Sequence, residues 1–146
     1  MTAIRQIAPH AVRILLGLTF FVFGLNGFLH FLPQPPLPAA AGPFLGGLVS
    51  TGYFFPLLKA TEVAAGLLLL TNRFVPLALT VLAPIVVNIV AFHVFLAPGP
   101  LMVAFLLAST VYLAWVHRSA FRGVLSSRSI PVPSHPARQP AVAVAE

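Results

Sequence analysis

Apolar stretches separated by short polar or proline-rich breaks run through the first 118 residues of the chain. The first, at about 11–32, reads AVRILLGLTFFVFGLNGFLHFL. A second covers about 54–71, and the tight polar turn Asn72-Arg73 closes it. A third runs over about 75–96, with Pro76 near its start and Pro84 inside it. Pro98-Gly99-Pro100 breaks the chain again before a fourth at about 101–117, LMVAFLLASTVYLAWVH. Each approaches or exceeds the ~17–25 apolar residues that a membrane-spanning helix needs. The pattern therefore predicts an all-α membrane protein, a four-transmembrane-helix bundle occupying residues 1–118. Trp115, His117 and Arg118 end the fourth span as expected at a membrane–water interface.

The breaks carry information of their own. PQPPLPAAAGP after the first span cannot be an embedded helix, because prolines lack the donor a helix interior needs. Residues 43–52, PFLGGLVSTG, are apolar but too short to span. They suit a surface-lying or re-entrant half-helix with Pro43 in its first turn, or an apolar loop covering the bundle mouth. From Ser119 onward the chain is rich in Pro, Ser and Ala, and residues 119–146 read as a cytoplasmic, disordered tail. A cleaved signal peptide is the competing reading of the N-terminus, with Ala39-Ala40-Ala41 as its cleavage site. The first apolar run is too long for it, and Asn26 and His30 interrupt that run.

Composition sharpens this picture. Of 146 residues, 59% are hydrophobic and 7% charged, against about 25% charged in soluble domains. The mean hydropathy is +1.00. The net charge of +6 reads as membrane topology rather than nucleic-acid binding. Arg5 and Arg13 precede or open span one, Arg73 separates spans two and three, and Arg118, Arg122, Arg128 and Arg138 follow span four. The connectors at about 33–53 and 97–100 carry no charge, so both termini and the Arg73 turn are expected on the cytoplasmic side. The chain has no cysteine, which excludes disulfides, thiol redox chemistry and iron–sulfur ligation within it.

Against this background Glu62 stands out. It is one of two acidic residues, and a carboxylate near the middle of a span costs on the order of 2.5–3.5 kcal/mol to insert. Lys59 precedes it by one helical turn and can reach it. With the predicted topology, Asn26, Glu62 and Asn88 fall in one layer, roughly 9–13 Å below the outer surface at 1.5 Å per residue. His30 and His93 lie nearer that surface, and span four adds Ser109, Thr110 and Tyr112. The functional reading is a polar pocket around Glu62, in which Asn26, His30, Asn88 and His93 bind a ligand. Lys59 and Glu62 would move protons there. The structural reading is that Asn26 and Asn88 hold helices together by hydrogen bonds of about 0.6–2 kcal/mol.

Other residues have plainer explanations or weaker alternatives. His30 and His93 have the chemistry to bracket a haem iron. Zinc is disfavoured because no HExxH-type spacing is present. Gly17, Gly24 and Gly27, and the pair Ala60 and Ala64, read as devices for close helix approach. The phenylalanines of spans one and three read as lipid-facing or core bulk. No phosphate loop or nucleophile motif occurs.

The segments GLNGFLHFLPQPP, GPFLGGLVSTGYFFPLLKATEVAAGLLLLTNRFVPLAL and LAPIVVNIVAFHVFLAP together resemble the DoxX family of small bacterial membrane proteins. The resemblance spans roughly 13–115 and is densest from Gly52 through Ala97, with Glu62, Asn72-Arg73, Pro84, Asn88 and His93 in pattern. It implies a four-helix bundle in the bacterial inner membrane and an association with quinone-linked redox systems or a membrane redox partner. The thiol-linked roles of broader relatives do not fit a chain without cysteine.

Two functions follow as expectations. One is a redox-associated subunit, not a complete enzyme, that binds a quinone beside Glu62. The other is a non-enzymatic scaffold or small-molecule carrier in which Lys59–Glu62 fixes packing. A proton-coupled transporter is disfavoured by the single buried carboxylate. The partners are the bilayer, a redox protein and a second copy of the chain, with no nucleic acid.

Overall fold

A computed structural model describes residues 2–33, 36–123 and 125 of the chain. All regular structure among them is helical: α1 Thr2–Leu29, α2 Ala41–Ser50, α3 Phe54–Leu70, α4 Val75–Phe95, α5 Pro100–Val116 and α6 Arg118–Phe121. The expected tail thus begins as the short α6, and most of the rest of it lies outside the described residues. On length and composition, Ile7–Leu29 of α1 and α4 can each cross a membrane. The bent pair α2 and α3 adds a third crossing if counted as one, and α5 is a shorter apolar helix. The shortfall from the expected four is one of length. At 17 residues each, α3 and α5 reach only about 26 Å, short of a ~30 Å hydrocarbon core.

Local chemistry sets where the helices stop. The first span ends at Leu29 rather than at Leu32. His30 turns into the left-handed region (φ 52°), and its N–H bonds the Asn26 carbonyl at 2.9 Å. The Asn26 side chain then accepts the Leu32 N–H at 2.7 Å. This satisfies backbone groups that a helix end otherwise leaves open. At the end of α3, Asn72 occupies the left-handed position (φ 56°). Arg73 N–H reaches the Leu68 carbonyl at 3.0 Å and Asn72 N–H the Leu69 carbonyl at 3.2 Å, a Schellman closure. Pro76 and Pro100 stand in the first turns of α4 and α5, where a missing donor is harmless.

The long helices pack as a cycle in which α1 meets α3, α3 meets α4, α4 meets α5, and α5 returns to α1. The α1–α3 contact is the most extensive, and glycines permit it. A Cβ at Gly66 would sit 2.6 Å from the Phe21 backbone nitrogen, and one at Gly24 would sit 2.8 Å from Val63 Cγ2. Gly17 faces Leu69 in the same way. Ala60 and Ala64, expected to serve this purpose, are exposed instead. Leu16, Phe20, Leu69, Leu79, Leu82, Leu106 and Leu113 fill the centre of the buried core.

Arg13 does more than mark topology. It is buried at 7% exposure, and its Nη1 donates to the carbonyls of Leu69 and, at 3.2 Å, Leu70. A cation from α1 thereby closes the C-terminal end of α3, where the helix dipole is negative.

These contacts give two expected outcomes. Gly66→Ala should cost about 1–3 kcal/mol of stability, because the clash is with backbone and cannot be relieved by a rotamer change. Gly46→Ala, with nothing within 4 Å of its Cβ position, should be neutral or stabilising by up to ~1 kcal/mol. Thermal unfolding of the purified variants checks the contrast. In the same assay Arg13→Ala should lose about 1.5–3 kcal/mol, the worth of hydrogen bonds from a charged donor. Arg13→Lys should recover only part of that, since an ammonium lacks the planar fork.

Candidate functional site

The apolar core and the polar residues singled out on α3 and α4 segregate along the helices. Core residues concentrate where α3 turns into α4. Toward the other end the helices separate around a cavity of about 540 Å³, within the ~300–1,000 Å³ usual for small-molecule sites. Its walls come from the first half of α3 (Phe54 to Glu62), the second half of α4 (Pro84 to His93), α1 and α5. α2 covers it, contributing Phe44, Leu45 and Leu48. Residues 43–52 are therefore largely a helix, bent by 93° from α3 at a turn where Gly52 takes φ 71°. The Phe44 ring meets Phe92 of α4 at 6.0 Å between centroids.

The polar centre of this cavity is an ion pair. Lys59 Nζ donates to Glu62 Oε2 at 2.7 Å, with side-chain exposures of 21% and 5%. The pair sits on the tight α1–α3 contact. Glu62 Cβ lies 3.2 Å from the Cβ position of Gly24, and the Lys59 alkyl chain runs against Gly27, where any Cβ would collide with it. Glycines on α1 thus leave room for both side chains.

Asn88 and His93 join them from α4. Asn88 Nδ2 donates to the Pro84 carbonyl at 2.9 Å. His93 Nδ1 bonds the Ile89 carbonyl at 2.8 Å. A carbonyl only accepts, so Nδ1 carries the hydrogen and Nε2 of the neutral ring is an acceptor. Gly99 gives the ring its space, since a Cβ there would lie 2.7 Å from His93 Cδ2.

Of the residues singled out in the sequence, the cavity therefore gathers Lys59, Glu62, Asn88 and His93. Asn26 and His30 do not line it. Asn26 is buried with its side-chain oxygen on Leu32 N–H, and His30 is an exposed helix-end residue. Both serve to stop α1. Ser109 and Thr110 are buried on α5 without lining the cavity. Among the described residues no three His, Asp or Glu side chains cluster as a metal site.

Sequence reasoning missed the aromatic wall. Phe20, Phe23 and Phe92 line the cavity rather than serving only as lipid-facing or core bulk. Phe44, Phe54 and Phe55 join them. The signal was the clustering of Phe44, Phe54 and Phe55 around a segment too short to span. The result is a mostly apolar chamber with six phenylalanines in its walls and a few polar side chains, suited to a ligand with an apolar body and a small polar head.

Among the described residues, all regular structure is helical, and two to three helices are long and apolar enough to cross a membrane. Comparison with protein families, curated proteins and solved structures finds no match to the chain.

The ion pair should behave as a coupled unit. Glu62→Ala leaves Lys59 without its counter-charge and should cost about 3–5 kcal/mol. Glu62→Gln, whose amide oxygen can still accept from Lys59, should cost less. The Lys59→Met/Glu62→Leu double variant should regain most of the loss. A double-mutant cycle by equilibrium unfolding measures the coupling.

Proposed function

We propose that the protein is a four-span integral membrane protein, DoxX-like in architecture. It binds a quinone or similar lipophilic molecule in the chamber beneath α2. The observation that carries this reading is the placement of Lys59, Glu62, Asn88 and His93 in a cavity otherwise walled by apolar and aromatic side chains. Rings stack favourably on aromatic walls. A few polar groups in an apolar site fix the orientation of a ligand head.

In this reading the four long helices all cross the bacterial inner membrane, with both termini and the Arg73 turn cytoplasmic. The shorter α3 and α5 are accommodated by local thinning of the bilayer. Glu62 accepts or delivers the proton that accompanies reduction of the bound ring, held in place by Lys59 at 2.7 Å. Proton transfer needs such a group within hydrogen-bond reach of the reacting oxygen. The chain acts as a redox-associated subunit, with electrons supplied by a partner protein.

A second reading is favoured by one observation. Lys59 and Glu62 pair with each other, and Asn88 is bonded within its own helix, so this part of the cluster holds together without a ligand. A scaffold or carrier needs nothing further.

Calorimetric titration with a short-chain alkyl benzoquinone separates the two. Under the quinone reading, purified protein binds it saturably at one site, and Glu62→Gln weakens binding about tenfold, or ~1.4 kcal/mol. Absence of saturable binding, or an affinity unchanged in Glu62→Gln, favours the scaffold or carrier.

A further inference from the structure

The hydrogen-bonding pattern of the cavity specifies the ligand head more closely than its shape does. We infer that the chamber selects a molecule whose polar head carries a hydroxyl, phenolic or alcoholic, over one whose head can only accept hydrogen bonds. This rests on the reading that the cavity binds a lipophilic ligand; an acceptor-only quinone head is bound there, but less tightly than a hydroxyl-bearing head of equal bulk.

The geometry fixes what each polar side chain has left to offer. Glu62 gives Oε2 to Lys59, and Oε1 remains an acceptor. His93 donates its Nδ1 hydrogen to the Ile89 carbonyl, and in the neutral ring the Nε2 lone pair remains. Asn88 must turn Nδ2 toward the Pro84 carbonyl, which leaves Oδ1 as an acceptor and one N–H as a donor. The Thr19 hydroxyl gives its hydrogen to the Leu15 carbonyl at 2.8 Å, leaving oxygen lone pairs. Lys59 keeps the N–H groups not used on Glu62.

The residues that carry these atoms all line the cavity. Among the described residues, the buried side-chain polar atoms left without a partner are Arg13 Nε and Thr110 Oγ1, neither of them in the cavity lining. In the empty chamber water can reach the free acceptors. A ligand that fills the chamber displaces that water and must replace its hydrogen bonds.

A carbonyl or ether head can take an N–H from Lys59 or Asn88, but it offers no hydrogen to Glu62 Oε1 or His93 Nε2. Both would be left buried and unsatisfied. A hydroxyl does both jobs, donating to one acceptor while accepting from Lys59. Sites built to bond a substrate hydroxyl reject the analogue lacking it far more strongly than apolar pockets reject a missing methylene.

The test compares a 4-alkylphenol with its methyl ether, two probes of nearly equal bulk and apolarity that differ in one donor hydrogen. Calorimetric titration of the full-length purified protein should give a phenol affinity about ten- to a hundredfold above that of the ether. The ratio should narrow in His93→Phe, which removes one acceptor. Equal affinities, or tighter binding of the ether, overturn the donor selection while leaving the lipophilic cavity standing. If neither probe binds, the cavity reading itself fails and the selection falls with it.

Discussion

The close approach of α1 to α3 is the constraint on which the rest of the molecule depends. Backbone meets backbone at Gly66, and Gly24 lies against Val63 and Glu62. No larger residue fits without moving a helix. Once the helices are this near, the face of α3 that carries Lys59 and Glu62 must lie along α1, and the space beside Gly27 fixes the path of the lysine chain. The charged pair is thus positioned by residues that have no side chain at all.

From that contact the remaining architecture follows in two directions. Toward the α3–α4 turn, leucines from α1, α3, α4 and α5 close the interior. Toward the opposite end, bulky phenylalanines hold the walls apart, and α2 lies across the gap nearly at right angles to α3. Tight packing and open chamber are successive levels of one helix arrangement. The change falls on α3, between buried Ala65 and the ion pair one turn away.

Much of this was legible in the sequence, for identifiable reasons. Helix boundaries fell close to where Pro76, Pro100 and the Asn72-Arg73 turn indicated, because proline and left-handed residues act locally. Glu62 and Lys59 were legible because an ionisable residue in an apolar run is costly wherever the helix faces. What could not be read was orientation. An apolar helix with hydrophobic residues on every side does not announce which face packs, so Ala60 and Ala64 stood out in place of Gly66. Asn26 and His30 stand outside the cavity lining for a different reason. Their partners are backbone groups a few residues away, and a short-range bond of this kind leaves no trace in the spacing of polar residues along a helix.

Arg13 has a consequence that concerns the order in which the chain is made. Its guanidinium bonds carbonyls 56 and 57 residues further along. At synthesis rates of about 5–20 residues per second, Arg13 precedes them by roughly 3–11 s. Early in that interval α1 presents an arginine and a glycine-lined face with no counterpart. Lys59, Val63 and Gly66 arrive first and meet the glycine-lined face, and the Leu69 and Leu70 carbonyls at the end of α3 then complete the bonds of Arg13. The native pairing of α1 is therefore completed by a segment emerging from the ribosome well after α1 itself.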